Sequence, residues 1–381
     1  MTKHMIVGVD IRDLKIAATG ARTYLDELCR EFRRLNDDAV SFVFFDTALP
    51  VYTGKHPFFK IAEHINYFVW KQVTLPLKAL WHKCDIIFCT DYFVPLIHPG
   101  CKTVPVFHDA FFFEYPGHYN RLWLQLFHML AVPGARRSPF VITPSDYAKQ
   151  TVSHFTRITP EKVISIYEAP KTASAPGTVS SALTDRMDKG KAQGLQYILH
   201  VGSFDKRKNL PLLVKAFKQL RNEGYTHLRL LLVGKPTPKK NVDAIDEVSD
   251  AIRESQLADY VELPGYVADS ELPAIYSRSL LYVFPSLNEG FGLPVVECFL
   301  HKVPVLVANN TCLPEIGGDA VIGFNPFDAA ELAGKMKTLI DNPAICQDLV
   351  QKGTDRLQLF SWESAAQSLV DVFKAITSQK A

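Results

Sequence analysis

An alternation that runs through the chain twice is the feature that most constrains the fold. Short apolar stretches of strand length are separated by runs with helical spacing. The first set comprises "MIVGVD" (5–10), the helix-period run "ARTYLDELCREFRRL" (21–35), "VSFVFFD" (40–46), "CDIIFCT" (84–90) and "KTVPVFHD" (102–109). "PFVITPSDYAKQTVSHF" (139–155) then reads as strand, turn and helix, with Ser145 or Asp146 as the cap, and "KVISIYEAP" (162–170) closes the set. Residues 171–194 lose the pattern and become rich in Ala, Ser, Thr, Gly and Lys, which marks a junction. The second set opens at "LQYILHVGS" (195–203) and continues through "LRLLLVG" (228–234), "VELPG" (261–265), "LLYVFPS" (280–286) and "VPVLVAN" (303–309), with helical runs between. Apolar strands alternating with helices predict parallel sheets covered on both faces. The expected fold class is therefore α/β, two doubly wound Rossmann-like halves facing a central cleft at the carboxyl ends of their strands. The expected boundaries are 1–170 and 171–360. The stretch from about 361 to 381 forms an amphipathic helix capped by Ser361, with Glu363 in its first turn.

A chain of 381 residues is long enough for two cores of similar size. A net charge of +2 gives no reason to expect nucleic acid as a partner. Seven cysteines form no C-x-x-C pair and no metal-ligand spacing, which fits a reducing compartment. No signal-like leader is expected in "MTKHMIVGVDIRD", and no apolar run approaches the roughly 20 residues of a membrane span. A cytoplasmic protein is the expectation. No G-x-G-x-x-G follows the first strand, which argues against a nicotinamide dehydrogenase.

Residues 288–297, "NEGFGLPVVE", place Glu289 and Glu297 around a glycine-rich entry to a helix, directly after a strand. Pro294 suits the first helical position, where a missing N–H costs nothing. Phe291, Gly292 and Leu293 then present backbone N–H groups at the helix start, and Gly290 and Gly292 let a ligand approach the backbone. Such a terminus attracts phosphate through oriented donors and the helix dipole. Glu297 lies one turn inside and can reach a neutral group such as a ribose hydroxyl. Taken alone, these ten residues are read equally well as a loop acid and a first-turn acid complementing the dipole.

"HVGSFDKRKNL" (200–210) changes the balance. Lys206, Arg207 and Lys208 stand at another strand-to-helix junction in the same half, where three cations can offset a diphosphate without metal. An isolated basic turn is usually only solvated; paired with an anion-binding helix start it carries more information.

At this point the chain resembles a known family. "HVGSFDKRKNLPLLVKAF", "LPGYVADSELPAIYSRSLLYVFPSLNEGFGLPVVECF", "PVLVANNTCLPEIGGDAV" and "FSWESAAQSLV" look like successive blocks of the retaining family 4, or group 1, glycosyltransferases of GT-B fold. The paired glutamates match that family's E-x7-E signature. "GARTYLDEL" and "VPVFHDAFFFEYP" resemble, more loosely, the first loop and the H-D strand end of the first half. The resemblance implies that Arg207 and Lys208 bind the donor diphosphate, with the backbone of Phe291, Gly292 and Leu293. It places Glu297 on the ribose, Glu289 on the donor sugar, and Gly265, Tyr266 and Val267 by the nucleobase. Gly20 matches the loop that closes over the phosphates, and His108 the histidine near the reaction centre, with a purely structural histidine as the competing reading. Where many members carry Gly-Arg, this chain has Gly202-Ser203, so Ser203 brings a hydrogen bond but no charge. The terminal helix is implied to cross back to the first half.

The activity implied is transfer of a sugar from a nucleotide diphosphate with retention of configuration, in surface polysaccharide or glycolipid assembly. The leaving diphosphate is stabilised by preorganised cations and N–H groups. No cofactor is expected, and no Asp-x-Asp metal motif is present. The "RKN" and "HD" variants look most like members using GDP-mannose, although UDP- and dTDP-sugar enzymes share these motifs. A sugar-nucleotide epimerase of the same architecture and a non-catalytic nucleotide-sugar-binding protein are the alternatives. Residues 55–83 hold five lysines, three histidines and six aromatic residues against one glutamate, a composition that suits either an anionic membrane surface or an ordinary aromatic core with solvated lysines. The expected acceptor is a glycan or a lipid-linked saccharide.

Overall fold

The computed structural model describes residues 4–16, 20–35, 37–47, 51–54, 56–172, 181–237 and 241–378. It divides into two units, Met1–Glu168 with Ser361–Ala381, and Ala169–Phe360.

The first unit is built on a four-stranded parallel sheet of order β2-β1-β3-β4. These strands are β1 (Met5–Asp10), β2 (Val40–Phe45), β3 (Ile86–Cys89) and β4 (Lys102–Pro105). A parallel pair, β5 (Val141–Thr143) and β6 (Val163–Ser165), continues beyond β4 through a bridge between Val106 and Ile142. β3 is buried along its whole length, as both-face coverage requires. Two sets of side chains fill this unit. Phe45, Trp70, Leu75, Ile87 and Val94 pack under the sheet, while Phe93, Phe107, Phe112 and Phe127 form an aromatic cluster with Trp123 against it. The helix Trp362–Ser378 packs here too, with Trp362 edge-on to Tyr24, Phe373 against Phe88, and Lys374 paired with Asp37 at 2.6 Å.

The second unit holds a six-stranded parallel sheet of order β12-β11-β10-β7-β8-β9. Its strands are β7 (Gln196–Val201), β8 (Leu228–Val233), β9 (Val261–Gly265), β10 (Leu281–Phe284), β11 (Val305–Ala308) and β12 (Val321–Phe324). The chain runs outward from β7 to β9, then returns to add β10 on the other side of β7. The strand order therefore reverses between β7 and β10, where Leu281 pairs with Ile198 and Tyr282 with Leu199. In an open parallel sheet such a reversal leaves a crevice at the carboxyl ends of the two strands, because their following helices diverge to opposite faces.

Within the stretch read as a patternless junction, Ala182–Ala192 is a helix. Ser181 and Thr184 form a reciprocal cap, and Leu183 and Met187, one turn apart, are buried. All seven cysteines are free thiols, six of them buried. No helix among the described residues is long and apolar enough to cross a membrane.

Candidate active site

The crevice between β7 and β10 is where the second unit concentrates charge. After β7 the chain passes Gly202 and Ser203, then makes a single helical turn, Lys206–Lys208. Asp205 caps that turn, its Oδ1 accepting from the Arg207 amide at 3.0 Å. Asn209, left-handed at φ 54°, releases the chain into the helix Leu210–Asn222. Space here is tight. Gly234, at the end of β8, has φ +152°, and a Cβ on it would stand 1.8 Å from the Gly202 carbonyl oxygen, so only glycine lets the two strand ends meet.

After β10 the chain runs through Ser286, Leu287, Asn288 and Glu289 into the helix Leu293–Leu300. Gly292 precedes that helix at φ +96°, and Pro294 occupies its second position rather than its first. The proline still falls among the first-turn residues, whose amides have no partner within the helix.

The two loops are joined. The Leu287 amide donates to the Arg207 carbonyl at 2.7 Å, and the Ser286 hydroxyl contacts the same oxygen at 3.1 Å. Glu289 sits at the seam, 8% exposed, and receives three donors: Lys208 Nζ at 2.6 Å and Ser286 Oγ at 2.5 Å on Oε1, and Arg207 Nη1 at 3.1 Å on Oε2. Burial would raise its pKa, but Lys208 and Arg207 outweigh burial and bring it down to about 2. Glu289 is therefore a permanent carboxylate near neutral pH and serves as an acceptor and a fixed charge, not as a proton donor. Lys208 is buried over the face of Phe284; burial pulls its pKa below the usual value, against the attraction of Glu289. Arg207 keeps 29% of its side chain exposed and also donates to the Asn288 carbonyl. Lys206 does not join them; its ammonium pairs with Glu247 at 2.8 Å, so two of the three cations converge.

The remaining predicted residues are distributed as follows. Glu297 Oε2 accepts from the Tyr276 hydroxyl at 2.8 Å, and burial raises its pKa against that donor. Gly265 (φ +82°) ends the edge strand β9, and Tyr266 is exposed beside it with the Lys235 ammonium 5.1 Å from its ring. Ser203 is half-buried ahead of the cationic turn.

In the first unit, Gly20 is the first residue of the helix Gly20–Arg34. His108 follows β4, with Nε2 donating to the Thr90 carbonyl at 3.0 Å and Nδ1 lying 3.5 Å from Glu168. Burial would lower its pKa, yet Glu168 raises it above the ordinary histidine value. Both partners of the ring are acceptors, and both favour its protonated form. Asp109 accepts from the Tyr92 hydroxyl and the Phe111 amide.

The strand-order reversal of the first unit, between β1 and β3, is occupied differently. Lys71 Nζ lies between Asp10 and Asp91, 2.6 Å from the former, and Tyr67 donates to Asp91 at 2.7 Å. Arg12, fully buried, pairs with Glu63. Asp10, Cys89 and Asp91 bring three potential metal ligands together, and the ammonium of Lys71 is the cation that meets the two carboxylates. A cavity of about 450 Å³ in the second unit lies at the amino ends of β7 and β10, by Tyr197, Arg278 and Lys302, at the sheet edge away from Glu289.

The sequence pattern of "Glycosyl transferases group 1" matches residues 182–356, and that of "Glycosyltransferase Family 4" matches residues 18–169. The chain belongs to the group 1, family 4-type glycosyltransferases. Among curated relatives, this glycosyltransferase is 23% identical over 305 residues to O-antigen chain mannosyltransferase B of Escherichia coli, covering 79% of this chain and 78% of that one. It is 26% identical to the serotype-specific mannosyltransferase WbdA of Escherichia coli, over 76% of this chain but only 36% of WbdA. Among solved structures, sucrose-phosphate synthase from Thermosynechococcus elongatus aligns at TM-score 0.73 with 17% identity over 99% of this chain and 100% of that one. Anabaena HepE in complex with UDP-glucose aligns at 0.70 with 18% identity over 98% and 100%. These likenesses establish the fold of the glycosyltransferase as GT-B.

Three residues that hold the candidate site residues carried no signal in the sequence. Ser286 is one more hydroxyl at a strand end, and Tyr276 lies 21 residues before the Glu297 it holds. Glu168 looks like the polar end of a strand until β6 brings it to His108.

Proposed function

We propose that this glycosyltransferase takes a nucleoside diphosphate sugar, with GDP-mannose the first choice, and transfers the sugar with retention of configuration. The acceptor in this reading is a glycan or lipid-linked saccharide of a surface polysaccharide, met in the cytoplasm at the inner face of the membrane. One observation carries it: two cations from the β7 turn and the loop from β10 are bonded into one structure directly ahead of a helix start. A diphosphate needs both halves, positive charge and fixed N–H donors. Arg207, partly exposed, is proposed to share its guanidinium with a phosphate oxygen. Lys208 acts from beneath, its charge held in place by Glu289. As the sugar–oxygen bond breaks and negative charge grows on the leaving phosphate, these groups stabilise it without reorganising.

The permanently ionised Glu289 is proposed to accept hydrogen bonds from donor-sugar hydroxyls, and Glu297 from the ribose. Gly265 to Val267 are proposed to receive the base, with Ser203 adding a hydroxyl on the phosphate side and Gly20 lying in the first unit's donor contact. His108 is proposed to stand near the donor sugar and the reaction centre. No metal or cofactor is assigned a role. The mannosyl preference follows the two mannosyltransferases it resembles, O-antigen chain mannosyltransferase B and WbdA.

Incubation with GDP-mannose, UDP-glucose and dTDP-glucose, with a polyprenyl-linked saccharide as acceptor, tests the reading. Mannose transfer with the α-configuration of the donor retained supports it. Conversion of the sugar nucleotide to an epimer without transfer, or binding with no turnover, would replace it with one of the other two activities.

A further inference from the structure

A buried acceptor beside the cationic turn has no donor. His200 lies on β7, fully buried, with its ring stacked on Tyr282 and tilted against Phe284. Its Nδ1 stands 3.0 Å from the Val283 carbonyl, an oxygen that only accepts, so Nδ1 carries the hydrogen. Burial brings the pKa down to about 4, which leaves the ring neutral near pH 7 and Nε2 with a lone pair to offer. No donor among the described residues meets that nitrogen. A sealed acceptor without a donor costs stability, and an apolar ring would fill the same space without that cost.

Nε2 faces the gap that Lys208 enters. A Cβ on Gly202 would stand 3.2 Å from Nε2 and 3.7 Å from Lys208 Cε, so the glycine keeps open a space that both side chains border. The Lys208 ammonium also lies over the Phe284 ring, 4.9 Å from its centre. It has three N–H groups and, among the described residues, one oxygen to receive them, Glu289 Oε1 at 2.6 Å.

Glu289 is crowded for the task assigned to it. A carboxylate offers about four acceptor positions; Lys208, Ser286 and Arg207 hold three. Donor-sugar hydroxyls therefore compete with these side chains for the acid. When Lys208 yields its place, its ammonium stays buried and needs another acceptor, because a buried charge without a partner is strongly destabilising. Nε2 is the unpaired acceptor on the same gap. The exchange also changes the charge of the site. Beside Glu289 the ammonium is half of a neutral pair, whereas beside a neutral imidazole its whole charge is left for a diphosphate.

We propose that His200 is a positioning residue of the donor site: as a sugar nucleotide binds, Lys208 passes from Glu289 Oε1 to His200 Nε2, freeing the carboxylate for the sugar and the ammonium for the phosphates. The exchange is complete before the sugar–oxygen bond breaks. It rests on the donor reading above, so one arm of its test uses no nucleotide.

That arm is nitrogen NMR of the histidine rings. Among the 12 histidines, the His200 signals are those missing from the His200→Asn spectrum. In unliganded wild type, Nε2 is expected to be unprotonated and free of a donor. In Glu289→Ala, which removes the lysine's acceptor, its signal is expected to move upfield as it receives a hydrogen bond, and adding Lys208→Met should reverse the move. The same upfield move is expected in wild type when a sugar nucleotide binds. In the second arm, GDP-mannose, UDP-glucose and dTDP-glucose are titrated calorimetrically against wild type, His200→Asn and His200→Gln, with melting temperatures measured in parallel. Asparagine puts its amide where Nδ1 stands and keeps the bond to Val283; glutamine puts its amide where Nε2 stands and can turn its oxygen to Lys208. His200→Asn is expected to bind the sugar nucleotide at least about 10-fold more weakly, and His200→Gln to recover most of that loss whichever variant melts higher. An Nε2 signal that stays in place in Glu289→Ala and on sugar-nucleotide binding, or affinities that simply follow melting temperature, would overturn the exchange and leave the donor reading standing. Failure of every sugar nucleotide to bind wild type would overturn the donor reading and, with it, this role for His200.

Discussion

Glu289→Gln provides a quantitative test of the second unit. In the folded chain the Glu289 carboxyl has its pKa held at about 2, against 4.5 for the ordinary group. That gap corresponds to about 3 kcal/mol of folding stability. The folded value is depressed, so the stabilisation is complete above pH 4.5 and drains away as pH falls toward 2. The size agrees with the structure, since three donors surround a carboxylate that is almost sealed from water. Glutamine keeps an oxygen for Ser286 and Lys208 but loses the charge, leaving the buried ammonium uncompensated. The variant is expected to be less stable than wild type at pH 7 by up to about 3 kcal/mol, or about 6–12 °C in melting temperature for a unit of this size. The deficit should close below pH 4. His200 also titrates on acidification: burial brings it down to about 4 against the pull of Glu289, so stability drains from pH 6.5 to 4 in both proteins, and slightly more in the variant, which lacks that charge. Far-UV circular dichroism across this range supplies the measurement. All four tryptophans (70, 81, 123 and 362) belong to the first unit, so their fluorescence reports that unit separately. Stability profiles for variant and wild type that run parallel from pH 7 to pH 3 would refute the account of Glu289 as the hub of the site.

The same substitution should reduce turnover by roughly 100-fold with a much smaller change in donor affinity, because Glu289 is assigned to the reacting sugar; equal losses in both would misplace it. Glu168→Gln should lower the pKa of His108, followed by NMR of its ring protons, and an unchanged titration would mean that Glu168 does not act on the ring. Lys71→Met should destabilise the first unit by about 3–5 kcal/mol, read by tryptophan fluorescence, because it leaves Asp10 and Asp91 buried without their cation. A loss below 1 kcal/mol would show that those carboxylates take up protons or water at little cost.

The fold class was legible because strands such as "LYVF" and "VLVA" are buried throughout and read as unbroken apolar runs. β12 escaped notice: "VIGF" is short, contains a glycine and is only partly buried. The helix Ala182–Ala192 hid behind its Lys and Gly content, since only Leu183, Thr184, Met187 and Gly190 face inward. The motifs at 206–208 and 288–297 could be quoted from the sequence, but their relation could not. Arg207 and Glu289 are 82 residues apart, and only the reversal of strand order beside β7 makes them neighbours. The destination of Lys206 was likewise invisible, because it depends on where a later helix places Glu247. The charged cluster around Lys71 was missed for a related reason: a lysine in a run of aromatic residues looks like a solvated face until the sheet beneath it is known.

The central claim is that a diphosphate is held between the Arg207–Lys208 turn and the start of the helix at Leu293. Calorimetric titration of GDP, UDP and dTDP, each with wild type, Arg207→Ala and Lys206→Ala, addresses it most directly. The account predicts that at least one nucleotide binds, that Arg207→Ala weakens it by about 10- to 100-fold, and that Lys206→Ala leaves it unchanged. Binding that is indifferent to Arg207, or as sensitive to Lys206, would contradict it.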